Sequence, residues 1–221
     1  MAALSRIILG SRSPRRKELL ELLIPADCIS IVPPRDSAEA GFDGLDCWQT
    51  IEPHLQSIAR TKCDDVLGQL QNSQTEFDVV ITADTVIVAV DSDQDDKLIV
   101  LGQPPENDNW QETVRRWFQN YYFGKTHFAV TAACVADSAG QIVERLVKSE
   151  VTFRADGQRW LDWYLQTDEP QGKAGGYAIQ QAGSIFVEKV EGSLSNIVGL
   201  PVEELIEVLD QLNFELGKSS G

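Results

Sequence analysis

Residues 77–90 read FDVVITADTVIVAV, the most apolar stretch of the chain. A run so rich in β-branched residues is a strand at the centre of a sheet, apolar on both faces. Asp84 interrupts it. Burying a lone carboxylate costs about several kcal/mol unless it is paired or holds a metal, and aspartate is a poor strand residue. Two readings remain open. Either the strand bulges or breaks so that Asp84 reaches a solvated edge, or Asp84 stands at the mouth of a cleft as a metal ligand or general base.

The rest of the chain supplies the surroundings for such a strand. A short apolar strand is expected over 6–9. Ser13 followed by Pro14 then marks a helix start: the serine caps free amides and the proline needs no partner for its missing N–H. Leu19, Leu20 and Leu23 fall on the apolar face of that helix. Further strands are expected over 28–32, 98–101, 126–136, 141–154 and 185–190. Helices are expected over 50–70, 107–122, 156–166 and 201–212, the first of them with Ile51, Leu55, Ile58 and Val66 toward the core. Residues 33–46 read as a loop, 91–96 as an acidic turn into a hairpin, and 213–221 as a flexible tail. The elements mix without strict alternation, which predicts an α/β protein with a mixed, strongly twisted sheet. No repeat or linker divides the 221 residues, so one domain with a sizeable core is expected.

Charge is placed unevenly. Acidic residues outnumber basic ones 34 to 19, for a net charge of -15. That balance argues against nucleic acid and anionic membrane as partners. Yet LGSRSPRRKELL, residues 9–20, sets Arg15 and Arg16 in a first helical turn, where the helix dipole disfavours cations. The segment is either a solvated basic turn or, with an anion present, a phosphate site. A later segment, TDEPQGKAGGYAIQ, puts Lys173 between the carboxylates Asp168 and Glu169 and the pair Gly175-Gly176. It is either an ordinary loop or one whose backbone and ammonium approach a ligand closely. No apolar run reaches the roughly 18 residues of a membrane span, and residues 1–9 are too short for a secretory signal. Cys28, Cys47, Cys63 and Cys134 lack CxxC spacing, as expected of reduced thiols in a cytoplasmic protein. His54 and His127 are too far apart in sequence to suggest a histidine zinc site.

LGSRSPRRKELL, ADTVIV, LGQP, THFAVTA, DEPQGKAGGYAIQ and GSLSNIVGLP, in this order, resemble the Maf family of nucleoside-triphosphate pyrophosphatases over nearly the whole chain. The resemblance implies a two-lobed α/β fold around a deep cleft, similar to inosine triphosphate pyrophosphatases. It implies hydrolysis of a nucleotide between its α and β phosphates with a divalent metal, Mg²⁺ or Mn²⁺. Carried over by motif, Ser11, Ser13, Arg15 and Arg16 contact phosphates, and Asp84 is the proton acceptor or metal ligand. Lys62 lines the cleft, with Lys173 and Gln180 on its far wall. Arg15, Thr85 and Gln180 match the dTTP- and UTP-hydrolysing subgroup, so dTTP and UTP are the expected substrates. A homodimer is expected by analogy. The chain departs from the family pattern at four positions: Gln103 replaces a lysine, Gly172 an aspartate, and Ala178 and Gln181 glycines. These departures keep a second reading open, a low-activity nucleotide-binding regulator of cell division.

Overall fold

A computed structural model describes residues 6–36, 41–92, 97–107, 109–214 and 216. Most of the acidic turn expected over 91–96 and most of the tail expected over 213–221 lie outside them. Among the described residues seven strands form one mixed sheet: β1 (Ile7–Leu9), β2 (Ile29–Ile31), β3 (Val79–Asp91), β4 (Lys97–Leu101), β5 (Thr126–Asp137), β6 (Ile142–Phe153) and β7 (Val187–Glu191). Their order is β2-β1-β3-β5-β6-β7, with β4 paired to the C-terminal part of β3. The helices are α1 (Pro14–Leu20), α2 (Trp48–Ser73), α3 (Trp110–Trp117), α4 (Leu161–Leu165), α5 (Leu194–Val198) and α6 (Val202–Gln211). The α/β class with a mixed sheet is as the sequence predicts. Among the described residues no helix is long and apolar enough to cross a membrane.

As its composition demands, β3 is central. The alternation of a strand sends Val80, Val86 and Val88 to one face, where they pack on Ile51, Leu55, Ala59 and Val66 of α2. Val79, Ile81 and Ala83 face the other way, against Leu20, Leu205 and Leu209. Ile87 and Ala89, further along that second face, meet a cluster built on Phe118, Tyr122, Phe153, Tyr164 and Phe186.

On one side β5 accompanies β3 from Val79 to Val88. On the other, β1 runs parallel to residues 79–81 and β4 antiparallel to residues 87–91. Residues 82–86 therefore have no strand on that edge among the described residues. Asp84 lies in the middle of the gap. The chain leaves β1 there through Gly10, whose N–H bonds Ile81 O at 2.8 Å. A Cβ on Gly10 would lie 2.5 Å from Thr82 Cγ2, so the loop hugs β3 at this point because the residue is glycine.

Two expected helices are broken. After Trp117 the chain widens into a π turn, Phe118–Tyr122, which lets both fully buried rings enter the aromatic cluster. The 156–166 helix divides into a 3-10 segment, Ala155–Trp160, and α4. The strand expected from residue 185 begins at Val187, because Ala182–Phe186 is a 3-10 turn. Helix α5 was not legible in the sequence; Ser193 caps it by accepting from Asn196 N at 3.1 Å.

Candidate active site

A cavity of about 1160 Å³ opens over the gap in β3. Ser11, Ser13, Arg15, Arg16, Lys62, Asp84, Thr85, Lys173 and Gln180 all line it, so the tertiary structure brings together every site residue named from the sequence. Gln103, Gly172 and Ala178 line it too; Gln181 does not.

The parity of β3 decides what each residue meets. Asp84 shares the α2 face with Val80 and Val86. Lys62 lies four residues after Ile58 and four before Val66, within the buried stripe of α2. The two side chains meet there, Lys62 Nζ donating to Asp84 Oδ1 at 2.6 Å. They are 15% and 6% exposed, so the pair is almost dry yet open to the cavity. The strand is unbroken at Asp84, which removes the reading of a bulge at a solvated edge.

Thr85 faces the opposite side and joins a wall network. Its Oγ1 receives Arg16 Nη2 at 3.1 Å and lies 2.9 Å from Thr131 Oγ1. Arg16 also donates Nε to Gly199 O at 2.8 Å and Nη1 to Ser11 Oγ at 3.3 Å. At least three of its five N–H donors thus serve the protein. Ser13 caps α1, its Oγ accepting from Arg16 N at 3.5 Å. With only seven residues, α1 contributes little dipole, and the positive character of this corner comes from side chains.

Arg15 is different. It is half-buried, and among the described residues it has no hydrogen-bond or ion-pair partner. Burial lowers its pKa, against a smaller opposing pull from Glu18. Lys173 enters from the glycine-rich segment, and its pKa is lowered by burial first and by Arg15 second, with Glu169 pulling the other way. Two cations distant in sequence therefore converge and repel each other in partly dehydrated surroundings. An anion between them relieves both penalties.

The glycine-rich segment is tied down by groups that were not singled out as site residues. Tyr122 OH donates to Gly175 O at 3.0 Å, and the single proton of Tyr164 OH is shared between Gly176 O at 3.2 Å and Glu169 Oε1 at 3.1 Å. Tyr177 OH lies 2.8 Å from His127 Nε2. Burial lowers the pKa of His127 to about 3, so the ring is neutral. The only signal in the sequence was polar aromatics in apolar strands and helices. Asp168 and Glu169 are the carboxylates nearest in sequence to Gly172, where the family pattern has an aspartate. Neither lines the cavity. The Glu169 carboxylate instead accepts from Ala182 N and Gly183 N, at 2.8 and 3.0 Å. Residue 172 itself has φ +68, a conformation that glycine adopts without strain.

The family of Maf-like proteins matches the chain over residues 6–212. A dTTP/UTP pyrophosphatase of Treponema denticola is 33% identical over 216 residues, covering 96% of this chain and 100% of that protein. One of Anaeromyxobacter dehalogenans is 36% identical over 214 residues, covering 96% of each. A solved nucleoside-triphosphatase / dITP/XTP pyrophosphatase of Mycobacterium abscessus overlaps 68% of this chain and 75% of its own. Its TM-score of 0.38 and 11% identity make that likeness too loose to bear on function. From the match along nearly its whole length, the chain belongs to the family of Maf-like proteins.

Proposed function

We propose that this protein is a nucleoside-triphosphate pyrophosphatase that hydrolyses dTTP and UTP to the monophosphate and pyrophosphate. The observation that carries the reading is that Arg15 and Lys173, close enough to repel each other, line the same cavity as the Lys62–Asp84 pair. A triphosphate brings about four negative charges, and water attacks phosphorus only once these are offset. Arg15 and Lys173 offset them directly. Arg16, committed to Thr85 and Gly199, holds the wall from which Ser11 and Arg15 reach the phosphates. Asp84 takes the proton from the attacking water, and Lys62 orients its carboxylate. The pyrophosphatase names of the relatives support the same reading.

Among the described residues no three His, Cys, Asp or Glu side chains converge as a preformed metal site. Mg²⁺ is commonly held by about one or two carboxylates together with substrate phosphates, and Asp84, on the same cavity as Arg15 and Lys173, suits that arrangement. Mg²⁺ or Mn²⁺ bound there would supply charge neutralisation as a Lewis acid.

Gln180, exposed on the cavity wall, offers an amide donor and acceptor that match N3–H and a carbonyl of uracil or thymine. Cytosine presents the reverse pattern at N3 and C4, so an amide that binding holds in the uracil orientation makes CTP the poorer substrate. The two lobes, the homodimer and the cytoplasmic location belong to this reading. The alternative, a nucleotide-binding regulator of cell division with little turnover, draws on Gln103 and Gly172. Both line the cavity without the cation and carboxylate of the family pattern. Pyrophosphate release from a panel of triphosphates with Mg²⁺ or Mn²⁺ separates the two. The expected result is turnover with dTTP and UTP ahead of CTP. Binding without release selects the regulator, and a purine triphosphate or 7-methyl-GTP cleaved at least ~10-fold better than dTTP overturns the assigned specificity.

A further inference from the structure

We propose that Glu169 is a positioning residue, a clasp that closes residues 169–183 into a loop and thereby sets Lys173 and Gln180 against the cavity. The inference rests on the proposed function for its consequence, but its geometry stands alone. Glu169 Oε2 accepts from Ala182 N at 2.8 Å, and Oε1 accepts from Gly183 N at 3.0 Å and from Tyr164 OH at 3.1 Å. Its backbone carbonyl accepts from Lys173 Nζ at 2.5 Å. One residue therefore joins the start of the loop to its end and also holds the ammonium.

Two backbone amides and a share of the Tyr164 hydroxyl proton converge on this side chain, and an ionised carboxylate accepts from all of them. Glutamine has the same shape, but its NH₂ would face a backbone N–H. Aspartate is one methylene shorter. Because the carboxylate does not line the cavity, it acts through Lys173 and not on substrate. Lys173 needs such a hold, since Arg15 repels it and burial disfavours its charge. The tethers from Tyr122, Tyr164 and His127 fix Gly175, Gly176 and Tyr177, while the carboxylate bonds hold the far end of the loop at Ala182 and Gly183.

The test is Glu169→Gln in the full-length protein. Hydrogen exchange of the ligand-free protein should show the Ala182 and Gly183 amides opening about 10-fold faster. The kcat/KM for dTTP should fall by about 10- to 100-fold, mostly through KM, as expected for a lost charged hydrogen bond. Combined with Lys173→Ala, it should cost clearly less than the product of the two single losses, because part of its effect passes through the same ammonium. Tyr164→Phe, a milder change that removes its bonds to Glu169 and Gly176, should raise KM by about 3- to 10-fold and show the same non-additivity. It serves if Glu169→Gln fails to fold. Unchanged amide exchange, wild-type kinetics, or losses that multiply in the double variant would overturn the clasp. If the wild type releases no pyrophosphate, the functional reading fails instead, and the exchange arm still judges the clasp.

Discussion

Asp84→Asn is the most direct probe of the proposed chemistry. The change is isosteric, and the amide oxygen can still accept from Lys62, so the 2.6 Å contact survives as a weaker, neutral-acceptor bond. Removing one partner of a buried ion pair costs about 3–5 kcal/mol when the other charge is left in a dry interior. Lys62 is 15% exposed and opens to the cavity, so water replaces part of what it loses. The difference between charged and neutral hydrogen bonds then sets the scale, about 1–2 kcal/mol. For a chain of this size that lowers Tm by about 2–8 °C, which differential scanning calorimetry resolves. Turnover should suffer far more. Losing a general base lowers kcat by roughly 10²–10⁴, which is about 2.7–5.4 kcal/mol of barrier. Affinity for dTTP, measured by equilibrium dialysis, should change by no more than about threefold, because the lost carboxylate also removes a repulsion of the phosphates. A kcat within a few-fold of wild type refutes the role of Asp84. So does a loss of affinity as large as the loss of turnover, which would mean that Asp84 merely holds Lys62 in place.

Gln103 is exposed on the cavity, so Gln103→Lys should raise kcat/KM for dTTP by no more than about 1–3 kcal/mol, with the lower end favoured by exposure. Unchanged or lower efficiency means that another cation already fills that place. The depressed Lys173 pKa predicts that the ammonium deprotonates below its ordinary 10.5, so KM for dTTP should rise on the alkaline side. Lys173→Arg should shift that rise to higher pH, since guanidinium keeps its charge; an identical profile in the two proteins rejects the assignment. His127 stays neutral down to about pH 3 in the folded protein, whereas in the unfolded chain it protonates near 6.5. Stability linked to it is therefore complete above 6.5 and lost as pH falls toward 3, by up to about 1.4 kcal/mol per pH unit. Urea midpoints at pH 7 and 5 should differ less in His127→Gln than in wild type, and an equal difference argues against the buried neutral ring.

Local sequence was enough for much of this molecule. The run 77–90 had to be the central strand because only burial on both faces accommodates so many β-branched residues. Ser13 and Pro14 fixed the start of α1, and the stripe of Ile51, Leu55, Ile58 and Val66 fixed the buried face of α2. Asp84 announced itself as an anomaly within that strand, and Lys62 sits within the α2 stripe as a second charge on an apolar face. What neither position reveals is that they meet. Periodicity acts over about a dozen residues, whereas the pairing depends on which face of β3 the helix covers and in what register. The gap opposite residues 82–86 exists only because β1 ends and β4 begins on the same edge. Arg15 and Arg16 read as equivalent neighbours in the sequence. Tertiary packing separates them, giving Arg16 to Thr85 and Gly199 and leaving Arg15 to face Lys173. Glu169 reads in the sequence only as a loop carboxylate near Lys173; the return of the chain at Ala182 and Gly183 supplies it with amide donors. Residue types and local pattern announce where charge and conformation are costly, but only the long-range fold decides which partner relieves each cost.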